Sequence, residues 1–171
     1  MSRFLNRWRS EGGYREVFKI ALPLIISTIG WSIQTFVDRM FLFWYSEKAA
    51  AAALQAGMMS FTFYSLFVAT ASYANTFVAQ YVGAKQLNMV GKAIWQAIYF
   101  SIGAGLLMII VSLFSQSIFR LIGHSAELQA LETRYFRILL SGSIFMFVGD
   151  AFSSFFSGRG ETFILMCINV V

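Results

Sequence analysis

The chain has 171 residues, of which 58% are apolar, 18% aromatic and only 12% charged. A soluble domain carries about 25% charge and at most about half apolar residues, so this composition excludes both a soluble globule and a disordered chain. The single cysteine excludes an internal disulfide framework and a cysteine-based zinc site.

The charges punctuate the chain, and the uncharged intervals between them define the predicted elements. Residues 1–16 form a basic N-terminal segment, expected to be cytoplasmic. The apolar run that follows is too long for a signal peptide and lacks a small-x-small cleavage site, so it reads as a retained first span over residues 17–45. Between Lys48 and Lys85 lie 36 uncharged residues, which predict a second span over 50–84, longer than a bilayer requires and hence protruding or strongly tilted. Between Lys92 and Arg120 lie 27 uncharged residues, predicting a third span over 93–122. A fourth is expected over 135–157, and a fifth begins near Thr162. No strict alternation marks barrel strands, so the spans are helices. Short linkers at 46–49, 85–92, 123–134 and 158–161 make consecutive helices antiparallel neighbours. The expected fold is an all-α integral membrane domain over 17–171.

A ten-residue helix from Thr162 to Val171 covers about 15 Å, half of the hydrocarbon core of about 30 Å. The expectation is therefore a chain truncated in its fifth span, part of a longer protein.

Lysine and arginine set the orientation. Arg3, Arg7, Arg9, Arg15, Lys19, Lys85, Lys92 and Arg159 fall on one side, and Lys48, Arg120, Arg134 and Arg137 on the other. The N-terminus is expected in the cytoplasm, in a multi-pass protein of the cytoplasmic membrane. The net charge of +5 is mainly this topological signal and an attraction for anionic headgroups. No basic face is left free of the bilayer to bind nucleic acid.

Asp38 is the sharpest candidate for chemistry. It lies about 28 Å along the helix from Lys19, with Tyr45 and Ser46 about 11 Å beyond. An intramembrane carboxylate is costly and usually faces a bundle interior or water. Ser27, Trp31, Gln34 and Asp38 recur at spacings of four, three and four, giving one polar helix face. Such a carboxylate holds a proton near neutrality or helps bind sodium through oxygen. The competing reading is an interfacial Asp38–Arg39 pair snorkelling outward. Pro23 either kinks the first span or sits harmlessly near its start. Gln55, Thr62, Asn75, Thr76 and Gln80 make the second span polar, either as a water path or as interhelical hydrogen-bond partners. Asp150 either shares the cavity or neutralises Arg159 or Lys85. Trp31 suits an organic cation through its ring face, whereas Trp8, Trp44 and Tyr45 read as interfacial belt. His124 reads as a surface loop histidine with no second ligand. The Gly158-Arg159-Gly160 run is a tight turn. No nucleophile–base pair, metal cluster or phosphate loop argues for an enzyme, and no cofactor is expected beyond a coupling proton or sodium ion.

Three runs carry a family resemblance. Ala21-Leu22-Pro23-Leu24-Ile25-Ile26-Ser27 leads to Phe36-Val37-Asp38. Phe77-Val78-Ala79-Gln80-Tyr81-Val82-Gly83-Ala84-Lys85 closes the second span, and Phe155-Phe156-Ser157-Gly158-Arg159-Gly160-Glu161-Thr162 turns into the fifth. In this order the runs resemble the N-terminal portion of the multidrug and toxic compound extrusion family. The resemblance implies a twelve-helix antiporter of two six-helix lobes that exports small organic, often cationic, compounds in exchange for protons or sodium. It implies that Asp38 is the cation-coupling group, that Gln34 shares its face, and that Pro23 bends the first span. The sixth helix and the C-terminal lobe would be missing partners, and the family's fifth-span polar partners for the aspartate would fall beyond Val171. Rival functions are a lipid-linked or polysaccharide flippase of the same superfamily, a small dimeric four-helix pump, and a non-transporting structural or assembly subunit.

The charge count makes a testable topology. Reporters fused before Phe18 or at Gln86 should read cytoplasmic, and reporters at Lys48 or Ser125 external; an inverted pattern would refute the orientation.

Overall fold

The computed structural model describes residues 14–170. The N-terminal segment up to residue 13, with Arg3, Arg7, Trp8 and Arg9, lies outside the described residues, as does Val171. Among the described residues seven helices follow one another: α1 (Tyr14–Tyr45), α2 (Glu47–Ser72), α3 (Ala74–Gly83), α4 (Leu87–Leu113), α5 (Ser115–Ile122), α6 (Ala126–Gly158) and α7 (Thr162–Val170). Among the described residues there is no strand. Four stretches, Val17–Tyr45, Glu47–Gly83, Leu87–Leu113 and Ala126–Gly158, are long and apolar enough to cross a membrane. The all-α membrane fold with four spans is thus as the sequence indicated.

The boundaries differ, for local reasons. The second span is broken, with α2 and α3 meeting at Tyr73, whose N–H turns to the carbonyls of Ala69 and Thr70. The third span is also divided, between α4 and α5, where the Phe114 N–H reaches back to the Val111 carbonyl. The expected linker over 123–134 is mostly helix, because α6 begins at Ala126. Its charged residues misled by their density: Glu127 pairs with Lys48 at 2.6 Å and Glu132 is fully buried. The first linker shrinks to Ser46, an extended N-cap whose hydroxyl faces the Ala49 N–H at 3.4 Å.

Two turns share one hydrogen-bond pattern. Glu161 N–H bonds the Phe156 carbonyl and Gly160 N–H bonds the Ser157 carbonyl, each at 2.9 Å. Gln86 N–H bonds Tyr81 at 2.8 Å and Lys85 N–H bonds Val82 at 3.0 Å. Both are Schellman caps, which satisfy orphan carbonyls at a helix end. Gly160 takes the left-handed position at φ 75°, whereas the other cap uses Lys85 at φ 58°.

The hub is α6, which packs against α2, α3, α4, α5 and α7. Its buried stripe runs through Phe136, Leu140, Ser143, Phe147, Ala151 and Ser154, a spacing of three and four that keeps one face inward. Phe136, Leu140 and Phe147 meet Ala56, Ala104, Met108 and Phe119 in one cluster. Ala151 joins Ala74, Val78, Val90 and Ile94 in another. Glycines set the closeness of packing. A Cβ on Gly105 would lie 2.5 Å from Ile144 Cβ, and one on Gly158 would lie 2.6 Å from Val78 Cβ. Ser101 donates across the interface to the Phe147 carbonyl at 3.0 Å. By contrast α1 is peripheral: it packs chiefly on α7 and less on α2, and Ser27 is its one buried residue among those described.

Gly105→Ala should lower stability by about 1–3 kcal/mol through overpacking against Ile144. Gly103→Ala is the control, since nothing lies within 4 Å of a Cβ there. Thermal melts in one detergent should separate the two variants; equal melting temperatures would remove the close-packing account.

Candidate functional site

The candidate cation and substrate residues sit on α1, and the helix uses much of its polar surface on itself. Thr28, Ser32 and Thr35 each return their hydroxyl at 2.9 Å to the carbonyl four residues back. That leaves Gln34, Asp38 and Arg39 facing outward without a hydrogen-bond or ion-pair partner among the described residues. The Ser27 hydroxyl is buried and makes no hydrogen bond. Pro23 lies nine residues after Tyr14, inside α1 and not at its start. The harmless-start reading therefore fails. The proline has no N–H for the Lys19 carbonyl.

Among the described residues, concavities border this helix on several sides. The first, of about 490 Å³, lies between α1, α2 and α6 and is lined by Thr35, Asp38, Arg39, Glu47, Tyr64 and Tyr135 among others. A second, of about 730 Å³, joins Trp31, Thr35 and Arg39 to Gln55, Thr62 and His124. A smaller one, of about 320 Å³, is lined by Ser27, Thr28, Trp31 and Gln34.

The structure thus brings together part of the expected set. Asp38 lies on the first cleft and is exposed there. Gln34 lines the smaller concavity with Ser27 and Trp31, one turn away from Asp38. Trp31, Gln55 and Thr62 share the second cleft. Asn75, Gln80 and Asp150 line none of the three. The Asn75 carbonyl packs close against Gly158, and the Gln80 carbonyl caps Ala84. Asp150 is half-buried on α6 and does not neutralise Arg159, which pairs with Glu161 at 3.0 Å and lies over the Phe155 ring at 4.9 Å.

Sequence reasoning missed three features. Arg39 lines both large clefts, as does Tyr64. Glu132 is fully buried, its Oε1 2.9 Å from His124 Nδ1 and its Oε2 without a partner. His124 is therefore not a free surface histidine: its side chain is 31% exposed, and Gln129 bonds its carbonyl at 3.0 Å. The signal was available, because Glu132 begins the stripe that continues at Phe136 and Leu140, four residues apart each time.

A family model described as MatE matches residues 23–171. The chain belongs to the MatE family. It is 22% identical over 149 residues to a probable multidrug resistance protein NorM of Thermotoga maritima, an alignment covering 86% of this chain and 32% of that protein. It is 24% identical over 151 residues to a probable multidrug resistance protein YoeA of Bacillus subtilis, covering 87% of this chain and 33% of that one. The chain spans about a third of the length of the curated relatives it matches. No solved structure matches it significantly. The MatE match contains every α1 residue on the clefts and the His124–Glu132 pair.

The buried pair gives a direct test. His124→Leu leaves a buried carboxylate without its partner and should cost about 1–3 kcal/mol. Combining it with Glu132→Leu should recover much of the loss, since the isolated charge is then gone. Melting curves for the single and double variants check this; additive losses would count against the pairing.

Proposed function

We propose that this MatE chain works in a secondary active transporter that exports organic, drug-like compounds across the cytoplasmic membrane in exchange for protons or sodium. Asp38 is the coupling group in this reading. The observation that carries it is the placement of a carboxylate within the first span, two turns before the end of α1, on a cleft between three helices and unpaired with its neighbour Arg39. An unpaired carboxylate there exchanges one bound cation for another without first breaking a salt bridge. The multidrug-resistance names of the relatives support the substrate class.

The roles follow from position. Gln34, one turn below Asp38, offers its amide to the neighbouring concavity with Ser27 and Trp31. Trp31, Gln55 and Thr62 offer a ring face and neutral polar groups to a cationic substrate in the adjoining cleft. Pro23, inside α1 below these residues, supplies the weak point at which the helix bends. The N-terminus lies in the cytoplasm, and a further helical lobe closes the substrate path opposite α1. Bilayer lipid surrounds the rest.

Arg39 is the observation that favours the rival reading, flipping of an anionic lipid-linked sugar, because it lines both large clefts. One arginine beside Asp38 and Glu47 does not make an anion cavity. Export of a cation is the better fit.

In the intact transporter, Asp38→Asn should abolish ion-coupled export while expression and membrane insertion persist. Asp38→Glu should retain partial activity if the coupling ion is a proton, and lose more if sodium needs a fixed oxygen geometry. Drug efflux from reconstituted vesicles, driven in turn by a proton and a sodium gradient, measures both. Wild-type export by the Asn variant would defeat the coupling role.

A further inference from the structure

We infer that the groove between α3 and α4 is a binding site for an anionic phospholipid, with the phosphate at Lys92 and an acyl chain along the apolar floor. The inference is independent of what the chain transports. The groove exists because the second span breaks at Tyr73 and because alanines line the wall and floor behind it. Its volume is about 280 Å³, and Ala71, Ala74 and Ala97 lie buried beneath it.

Its two ends differ in chemistry. Lys92 lies six residues past Gln86, or about 9 Å along α4 from the turn. It is exposed and makes no ion pair with any described residue. The Gln96 amide and the Tyr81 hydroxyl line the same groove and add donors for phosphate oxygens. Phe100 lies about 12 Å deeper than Lys92 and, with Phe77, flanks the alanine floor. A cation over donors at one end and an aromatic-flanked apolar channel at the other match a lipid phosphate and its chain.

The depth is right for this ligand. Trp95 is exposed one turn beyond Lys92. An exposed Trp marks the headgroup level of a bilayer. A basic group in a pocket between helices at that level suits anionic lipid.

The test is native mass spectrometry of the intact protein in detergent, titrated with phosphatidylglycerol or with phosphatidylcholine. The first phosphatidylglycerol should bind about fivefold more tightly than phosphatidylcholine, as expected for one lysine–phosphate contact. Lys92→Ala should bring the two lipids to parity, while Lys85→Ala should leave the preference intact. Ala93→Leu, which narrows the groove, should reduce retention of both lipids, and Gln96→Leu on the exposed rim should weaken phosphatidylglycerol alone. Circular dichroism should show unchanged helicity in all four. A preference that survives Lys92→Ala would overturn the inference, as would an equal loss from Lys85→Ala, which would indicate a diffuse positive end. Full displacement of phosphatidylglycerol by inorganic phosphate would identify a simple anion site instead. A photocrosslinker at Ala93 that labels polypeptide in place of lipid in native membranes would give the groove to protein.

Discussion

Helix α6 holds the bundle together by letting other backbones come close. In hydrocarbon, apolar side chains gain little by leaving lipid for protein, so helices associate through packing and hydrogen bonds. The residues buried here obey that constraint. On α2 they are Ala50, Ala52, Ala53, Ala56, Ser60 and Ala71, and on α4 they include Ser101, Ala104, Gly105 and Ser112. Many large apolar residues point the other way, Leu121 at 89% and Phe145 at 81% exposed, while Phe119, Phe136, Phe147, Met108 and Leu140 fill the centre. Small and weakly polar residues line the helix contacts around that apolar centre, and the exterior is greasy. Gly105 and Gly158 mark where that logic reaches its limit, because even a methyl group would not fit.

The polar groups cluster where the packing ends. At the end of the bundle near Ser46, Lys48 meets Glu127, His124 meets Glu132, and Arg137 donates to Ser115 at 2.8 Å. The exposed Lys48–Glu127 pair contributes little, about 0–1 kcal/mol. The buried carboxylate is different, because an unsatisfied partner there is costly. It ties the loop after α5 to the first turns of α6 and so shapes the mouth of the cleft that Trp31 and Arg39 line.

Much of this was legible from the sequence, since uncharged runs longer than a bilayer is thick have few alternatives. The order of spans, the Gly160 turn and the family motifs were all readable. The breaks at Tyr73 and Phe114 were not, because neither carries proline or glycine and both are made by local carbonyl sharing. The start of α6 was misread because charge density was taken for solvent exposure, whereas Glu132 turns inward to His124. Within the candidate site, the periodicity that grouped Asp38 with Gln34, Trp31 and Ser27 described one helix face. Which cleft each residue meets depends on α2 and α6, whose distance from α1 no single-helix pattern encodes. The same limit separated Asn75, Gln80 and Asp150 from the clefts, although all three are polar residues within spans.

The position of α1 explains why Asp38 and Arg39 coexist without pairing. Adjacent helical residues project about 100° apart, so a flat interface would bury one and expose the other. Here the first cleft wraps around α1 far enough to meet both, and the second cleft meets Arg39 again from the α2 side. The two side chains line one cleft and form no ion pair with one another. A carboxylate in that setting remains available to a mobile cation, whereas one locked in a salt bridge would not be. The loose attachment of α1, with a single buried residue among those described and a proline inside it, then has a consequence. In the proposed coupling role, charge neutralisation at Asp38 would act on the span with the fewest buried residues, where a few kcal/mol of differential binding suffices to shift a helix between two positions.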